Sequence, residues 1–120
     1  MNSTDDSDPS EQKLPSSREI EMVVLGAMLI EPKTIGPLAM VRLTDKHFDY
    51  AAHQIIFREM TACLRERGFL DFITLTQILD GKDLLEEVGG TVYLSDLVSS
   101  VPLIEKYIDK LVDKGKPRPM

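Results

Sequence analysis

Residues 50–68 read YAAHQIIFREMTACLRERG and carry the clearest structural signal in the chain. Apolar side chains recur every three or four positions, which predicts an amphipathic helix from about Tyr50 to Arg67. Its apolar face is Ile56, Phe57, Met60 and Leu64, and its opposite face is Gln54, Arg58, Thr61 and Arg65. We expect Asp49 to cap its first turn and Gly68 to end it.

His53 falls on the apolar face of this helix, in register with Ile56, Phe57 and Met60. A desolvated imidazole at such a position could serve as a catalytic base. No serine or cysteine nucleophile motif accompanies it, however. We therefore predict a neutral core histidine that is hydrogen-bonded to the backbone.

A second helix is predicted before this one, from the capping box of Ser16 and Glu19 to about Leu29. The run Val23-Val24-Leu25 would also suit a strand, but the capping box favours helix. One apolar stripe holds Ile20, Val23, Val24, Ala27 and Met28; Leu25 and Leu29 widen it, and only Arg18, Glu19 and Glu21 are left for solvent. Gly26 costs about 1 kcal/mol of helix propensity relative to alanine, so we expect another backbone to pass close to it.

The remaining pattern is also helical. Short helices are predicted within Thr34–Arg42, over Thr74–Leu79 (capped by Asp71 or Thr74) and over Thr91–Ser99. Turns are predicted at Gly81 and at Gly89-Gly90. A last helix is predicted with these residues on one face: Ile104, Tyr107, Ile108, Leu111 and Val112. No alternating strand pattern emerges from the sequence. We therefore predict an all-α, compact bundle of about six helices over residues 14–114, between a disordered acidic tail (1–13) and a short flexible C-terminal tail (115–120).

Charge and composition limit the function classes. The chain has 20 Asp and Glu against 14 Lys and Arg, a net charge of −6, so we expect no strong direct DNA binding. The single cysteine, Cys63, is expected to be a small core residue in a reducing cytosol. No apolar run is long enough to span a membrane and no basic leader is present, so we predict a cytoplasmic protein.

Motifs for chemistry are missing from the sequence. Neither Gly81-Lys82 nor Gly115-Lys116 has the earlier glycine or the following hydroxyl residue of a phosphate-binding loop. His47 and His53 match no zinc spacing. The acidic residues Asp71, Glu86 and Glu87, and the mixed run of Arg58, Glu59, Arg65, Glu66 and Arg67, are typical of solvated faces. We predict no catalytic residue, no metal site and no cofactor site.

A series of short motifs follows the same order and nearly the same spacing as one known family. The series is Leu14-Pro15-Ser16, Glu19-Ile20-Glu21, Val24-Leu25-Gly26, Met28-Leu29, Ala51-Ala52-His53-Gln54-Ile55-Ile56-Phe57, Asp71, Ile73-Thr74-Leu75, Leu85, Val88-Gly89-Gly90, Tyr93-Leu94, Leu97, Val101-Pro102 and Tyr107. From Leu14 to about Lys114 the chain thus resembles the N-terminal domain of DnaB-type bacterial replicative DNA helicases. Ile20, where the family often has alanine, and Leu103 to Lys106 depart from that pattern.

The resemblance implies a function in DNA replication through protein contacts. In the parent helicases this domain forms the N-terminal collar, pairs with neighbouring subunits and, with a helical hairpin, docks primase. Helicase subunits, primase and a second copy of the chain are the implied partners, and Glu19 and Tyr93 are the implied partner-binding residues. ATP and magnesium belong to the family's motor domain.

Two alternatives follow from the same resemblance. Beyond Lys114 the printed chain ends in Gly-Lys-Pro-Arg-Pro-Met, whereas family members continue into the hairpin, a linker and the ATPase. We expect either a naturally short relative or the end of a broken gene. The chain would then act as a motorless regulator of a resident helicase, or be a fragment of an ATP-dependent DNA helicase.

Overall fold

The computed structural model describes residues 17–101, and this part of the chain is helical. In order, the elements are α1 (Ser17–Ile30), α2 (Ile35–Arg42), a 3-10 turn (Asp45–His47), α3 (Ala51–Arg67) and α4 (Phe72–Gly81). Residues 90–101 form a further helix, called α5 here. No strand is found between residues 17 and 101, so the predicted all-α class is confirmed. The predicted tails, the capping residue Ser16 and the predicted helix around residues 104–112 lie outside the described residues.

Helix α3 is the central element, and it packs against α1, α2, α4 and the 3-10 turn. The predicted apolar residues Ile56, Phe57 and Met60 are buried on it. Gly68 ends it in the left-handed conformation, with its N–H donating to the Leu64 carbonyl, as predicted.

Two predictions for α3 are wrong. The helix begins one residue later than predicted, so its N-cap is Tyr50 and the Asp49 side chain does not cap it. Thr61, assigned to the polar face, is buried because its hydroxyl donates to the Arg58 carbonyl and leaves its methyl group for the core.

Helix α1 buries a narrower stripe than predicted. Leu25, Met28 and Leu29 lie in the core, whereas Ile20, predicted to be buried, is 50% exposed. Glu21, predicted to face solvent, is buried in its place. Near the start of α1, the buried stripe therefore includes Glu21 in place of Ile20.

The prediction for Gly26 is confirmed. A β-carbon at this position would overlap the Leu97 carbonyl oxygen, and it would lie 2.8 Å from the Leu97 carbonyl carbon and 2.9 Å from a Val101 methyl group. Real β-carbons essentially never come that close to other atoms, so α1 and α5 reach this separation only at glycine.

The later helices differ from prediction mainly in length. Helix α4 is longer than Thr74–Leu79 because the Asp71 side chain accepts from the Thr74 N–H and starts the helix at Phe72. Gly81, predicted as a turn, is its last residue. Gly89 and Gly90 have φ of 108° and 76° and form the predicted turn into α5.

The buried side chains of the five helices and of their connections form one core. Its members are Leu25, Met28, Leu29, Ala39, Phe48, Ile56, Phe57, Met60, Cys63, Leu70, Leu75, Leu79, Val88, Leu94 and Leu97. Cys63 is buried there as predicted, and its thiol donates to the Phe69 carbonyl. No helix within residues 17–101 has the length and apolar character to cross a membrane.

Candidate functional site

Tyr93, one of the two predicted partner-binding residues, lies in the first turn of α5, directly after the double glycine. Its ring is half-buried, and its hydroxyl lies 2.6 Å from Nε2 of His53. A β-carbon on Gly89 would sit 2.7 Å from the Tyr93 β-carbon, so the glycine makes room for this tyrosine. The turn thus sets where the ring packs.

His53 holds Tyr93 from the side of α3. Its side chain is 1% exposed, and its Nδ1 lies 2.7 Å from Oε1 of Glu21. The predicted core histidine is confirmed, but the predicted backbone partner is wrong: a carboxylate and a phenol occupy its two nitrogens. Because both nitrogens are used, the imidazole has no free position for a metal or a substrate proton.

Glu21 completes this arrangement from α1. Its second oxygen, Oε2, accepts from the Asp49 N–H at 2.7 Å, so both carboxylate oxygens are paired. These hydrogen bonds pair the buried Glu21 carboxylate and the buried His53 imidazole, each of which would be costly to bury without a partner. The apolar stripe predicted for α1 leaves Glu21 for solvent, and this prediction is wrong. The spacing of Glu21 from Leu25 and Met28, i+4 and i+7, is the signal that could have placed it on the buried face.

The rim of this site is aromatic and cationic. The Arg18 guanidinium lies 5.4 Å from the centre of the Tyr93 ring, and the Tyr50 ring centre lies 5.4 Å from that of His53. We refer to Arg18, Glu21, Tyr50, His53 and Tyr93 as the Tyr93 cluster. It joins the N-terminal turns of α1, α3 and α5.

Glu19, the other predicted partner-binding residue, is exposed in the first turn of α1. It is adjacent in sequence to Arg18, which contacts Tyr93. The fold therefore brings the segments that carry Glu19 and Tyr93 to one end of the bundle. A further hydrogen bond joins α1 to the segment before α3 in this region, since the Ser17 hydroxyl donates to the Asp49 carboxylate at 3.2 Å.

Burial favours the protonated form of the phenol. Desolvation raises the pKa of Tyr93 above its usual value, and the nearby Arg18 charge acts in the opposite direction. The hydroxyl thus keeps its proton at neutral pH and can donate it.

The other candidate groups serve the fold. Asp71 caps α4, and hydrogen bonds from Thr74 lower the pKa of its carboxyl group. His47 Nδ1 accepts from the Thr44 N–H, and Glu86 and Glu87 are exposed. Within the part of the chain that the structure describes, no three His, Cys, Asp or Glu side chains are grouped to hold a metal ion.

A second surface feature lies between α2 and the end of α3. It is an open groove of about 600 Å³, called the α2–α3 groove here. Its lining is mainly apolar and includes Met40, Val41, Leu64 and Phe69. Val41 is 84% exposed and Phe69 47% exposed.

Comparison with known proteins gives a consistent result. Residues 13–113 match the family described as the DnaB-like helicase N terminal domain. The chain is 38% identical over 104 residues to the replicative DNA helicase DnaB of Pasteurella multocida, covering 85% of this chain and 22% of that protein. It is 39% identical over 93 residues to that of Geobacillus stearothermophilus, covering 78% of this chain and 20% of that one.

A solved structure shares the fold as well as the sequence. The crystal structure of the N-terminal domain of DnaB helicase from Mycobacterium tuberculosis superimposes with a TM-score of 0.67 at 35% identity, covering 73% of this chain and 63% of that one. The chain spans about a fifth of the length of the curated relatives above.

Proposed function

Because the chain belongs to the DnaB-like helicase N-terminal domain family, we propose that it acts in DNA replication as a protein-interaction module. It pairs with replicative helicase subunits or with a second copy of itself, and it docks primase. It works in the cytoplasm and has no cofactor of its own, since its sequence has no phosphate-binding loop for ATP and magnesium.

The Tyr93 cluster is the observation that carries this proposal. A tyrosine whose hydroxyl is hydrogen-bonded to His53 and whose ring lies against Arg18 loses little freedom when a partner binds. Tyrosine and arginine are also the side chains most enriched at the energetic centres of protein interfaces. Glu19, exposed beside Arg18, adds a carboxylate at the same end of the bundle.

Charge supports protein partners over DNA. The net charge of −6 repels a phosphate backbone. The exposed Arg58 is paired with Asp45 at 3.5 Å, and the exposed Lys82 with Glu59 at 2.8 Å. These cations are therefore partly neutralised within the chain.

The test is a pull-down from native host lysate with the wild-type chain and with Tyr93→Ala. We expect the wild-type chain to recover the host helicase or primase, and Tyr93→Ala to recover much less. Ile73→Ala is the matched control, since Ile73 is 67% exposed on α4 and outside the Tyr93 cluster. Recovery of neither protein by the wild-type chain contradicts the proposal.

A second candidate function is regulation of a resident helicase. Its support is the fold shared with the N-terminal domain of a DnaB helicase, because a chain with this fold could take the place of a collar domain in the host hexamer. Mixing the purified chain with the host helicase and measuring unwinding separates the two functions. A regulator changes unwinding by the helicase alone, and a module that only docks primase does not.

A further inference from the structure

One chain of hydrogen bonds connects three helices at the Tyr93 cluster. It runs from the Asp49 N–H to Glu21 Oε2, from Glu21 Oε1 to His53 Nδ1, and from His53 Nε2 to the Tyr93 hydroxyl. The three bonds measure 2.7, 2.7 and 2.6 Å. The His53 and Tyr93 rings lie within 15° of parallel, with their centroids 5.8 Å apart. We call this series of three hydrogen bonds the relay.

The chemistry of the groups gives the relay a direction. A backbone N–H can only donate, and an ionised carboxylate can only accept. Glu21 therefore accepts at both oxygens, and the hydrogen on its Oε1 side comes from His53 Nδ1. A neutral imidazole with hydrogen on Nδ1 has a bare Nε2, so the Tyr93 hydroxyl donates to it.

We infer that Glu21 is a positioning residue for Tyr93: it fixes the Nδ1–H tautomer of His53 and thereby turns the Tyr93 hydroxyl proton inward. Tyr93 can then offer a partner the part of its ring that Arg18 leaves uncovered, and its oxygen as an acceptor beside the hydrogen bond from Arg18, but no hydrogen-bond donor. The partner group that meets this oxygen is a donor, such as a backbone N–H or a lysine or arginine side chain. This specificity rests on the proposed function, in which Tyr93 anchors a partner.

Glu21→Gln should reverse the relay. A glutamine has one carbonyl oxygen and one NH₂ group, so it cannot accept from both Asp49 and His53. The Asp49 N–H cannot change its role and takes the carbonyl oxygen. The NH₂ group then faces Nδ1, which must be bare, and the hydrogen moves to Nε2. The Tyr93 oxygen becomes the acceptor, and its O–H turns outward to donate to a partner or to water.

The imidazole ¹⁵N chemical shifts of the full chain measure this directly, because protonated and bare nitrogens resonate in separate regions. The chain has only two histidines, and His47→Gln assigns the signals of His53. At a pH where His53 is neutral, we expect hydrogen on Nδ1 in the wild-type chain and on Nε2 in Glu21→Gln. Glu66→Gln, the same change at an exposed position near the end of α3, should keep the wild-type pattern.

Tyr93→Phe keeps the test decisive if Glu21→Gln fails to fold. If Glu21 sets the tautomer, removing the phenol hydroxyl leaves the hydrogen on Nδ1. Hydrogen on Nε2 in the wild-type chain, hydrogen on both nitrogens at every pH, or a switch to Nε2 in Tyr93→Phe overturns the inference. An unchanged Nδ1–H in folded Glu21→Gln overturns it too.

A binding measurement with purified host helicase and primase separates this inference from the proposed function. We expect Glu21→Gln to bind roughly threefold to tenfold more weakly than wild type, as for one mismatched hydrogen bond. Wild-type chain that binds neither protein contradicts the proposed function alone, because the ¹⁵N shifts still decide the relay. A Glu21→Gln chain with reversed tautomer and unchanged affinity contradicts the positioning of Tyr93 for a partner, while Tyr93→Ala still tests the docking site.

Discussion

At the scale of residues, two glutamates in the first turns of α1 have opposite environments. Glu19 is exposed, whereas Glu21, two positions later, is 7% exposed and paired through both oxygens. A helix turns by about 200° over two residues, so neighbours at this spacing face opposite sides. Glu21 therefore belongs to the fold, and Glu19 to the surface that a partner can reach.

Glu21→Ala should destabilise the chain. The substitution leaves the His53 Nδ1–H and the Asp49 N–H without their acceptor. An unpaired buried donor costs about 1–3 kcal/mol, so we expect a loss of about 2–4 kcal/mol in the free energy of unfolding, measured by urea denaturation. Glu66→Ala, at an exposed position, should change it by less than about 0.5 kcal/mol. Equal effects of the two substitutions would show that the buried pairing contributes nothing to stability.

Gly26→Ala and Gly81→Ala should shift stability in opposite directions. Alanine at position 26 meets the Leu97 backbone, which cannot move aside as a flexible side chain would, so we expect a loss of about 1–3 kcal/mol. Alanine at position 81 meets nothing within 4 Å at the end of α4, so we expect a gain of roughly 0.5 kcal/mol. Urea unfolding of the two variants tests the pair, and a stable Gly26→Ala chain would refute the close approach of α1 and α5.

At the scale of elements, local sequence patterns predict several features of the fold correctly. The core face of α3, the Gly68 terminus and the turn at Gly89-Gly90 follow from periodicity and from backbone conformations that favour glycine. The relay could not be predicted in the same way, because Glu21 and His53 are 32 residues apart and His53 and Tyr93 are 40 apart. Partners at such separations depend on how the helices pack, which one residue pattern does not contain.

The cap of α4 gives a prediction on pH. Hydrogen bonds from Thr74 lower the pKa of the Asp71 carboxyl group below its usual 3.8 in the folded chain. A lowered folded pKa means that the cap contributes fully above the unfolded pKa and is lost as the pH falls through the folded value. We therefore expect Asp71→Ala to lower the urea midpoint at pH 7, and the difference from wild type to shrink below about pH 4.

Asp71→Asn is the matched control for this cap. Asparagine accepts the Thr74 N–H equally well but does not titrate in this range. The urea midpoint of Asp71→Asn should therefore stay near that of wild type at pH 7 and should retain the cap at lower pH. A difference between wild type and Asp71→Ala that is constant with pH would contradict an ionised cap.

At the scale of the whole molecule, Cys63 reports on the opening of the core. The thiol is 2% exposed, and desolvation raises its pKa, so the folded chain holds little reactive thiolate. We expect labelling by a thiol reagent to follow the open fraction of molecules and to be faster in Glu21→Ala, by about tenfold for each 1.4 kcal/mol of lost stability. Labelling at one rate in both chains would mean that Cys63 is reached without opening of the core.

The charge of the whole molecule predicts its behaviour with nucleic acid. With a net charge of −6, the chain should not raise the fluorescence anisotropy of a labelled single-stranded oligonucleotide at physiological salt. A rise that disappears on adding salt would reveal a local basic surface and would contradict binding through protein partners alone.

The two glycines that flank the α3–α4 and α4–α5 connections have a stereochemical consequence. Gly68 and Gly90 both have φ of 76°, and nothing lies within 4 Å of the place where a β-carbon would stand on either. At these sites an L-residue costs roughly 1–2 kcal/mol because of its backbone chirality and not because of lack of space. A D-alanine, introduced by chemical synthesis and ligation, would adopt this backbone conformation readily and would restrict the unfolded chain, whereas L-alanine would adopt it only with strain.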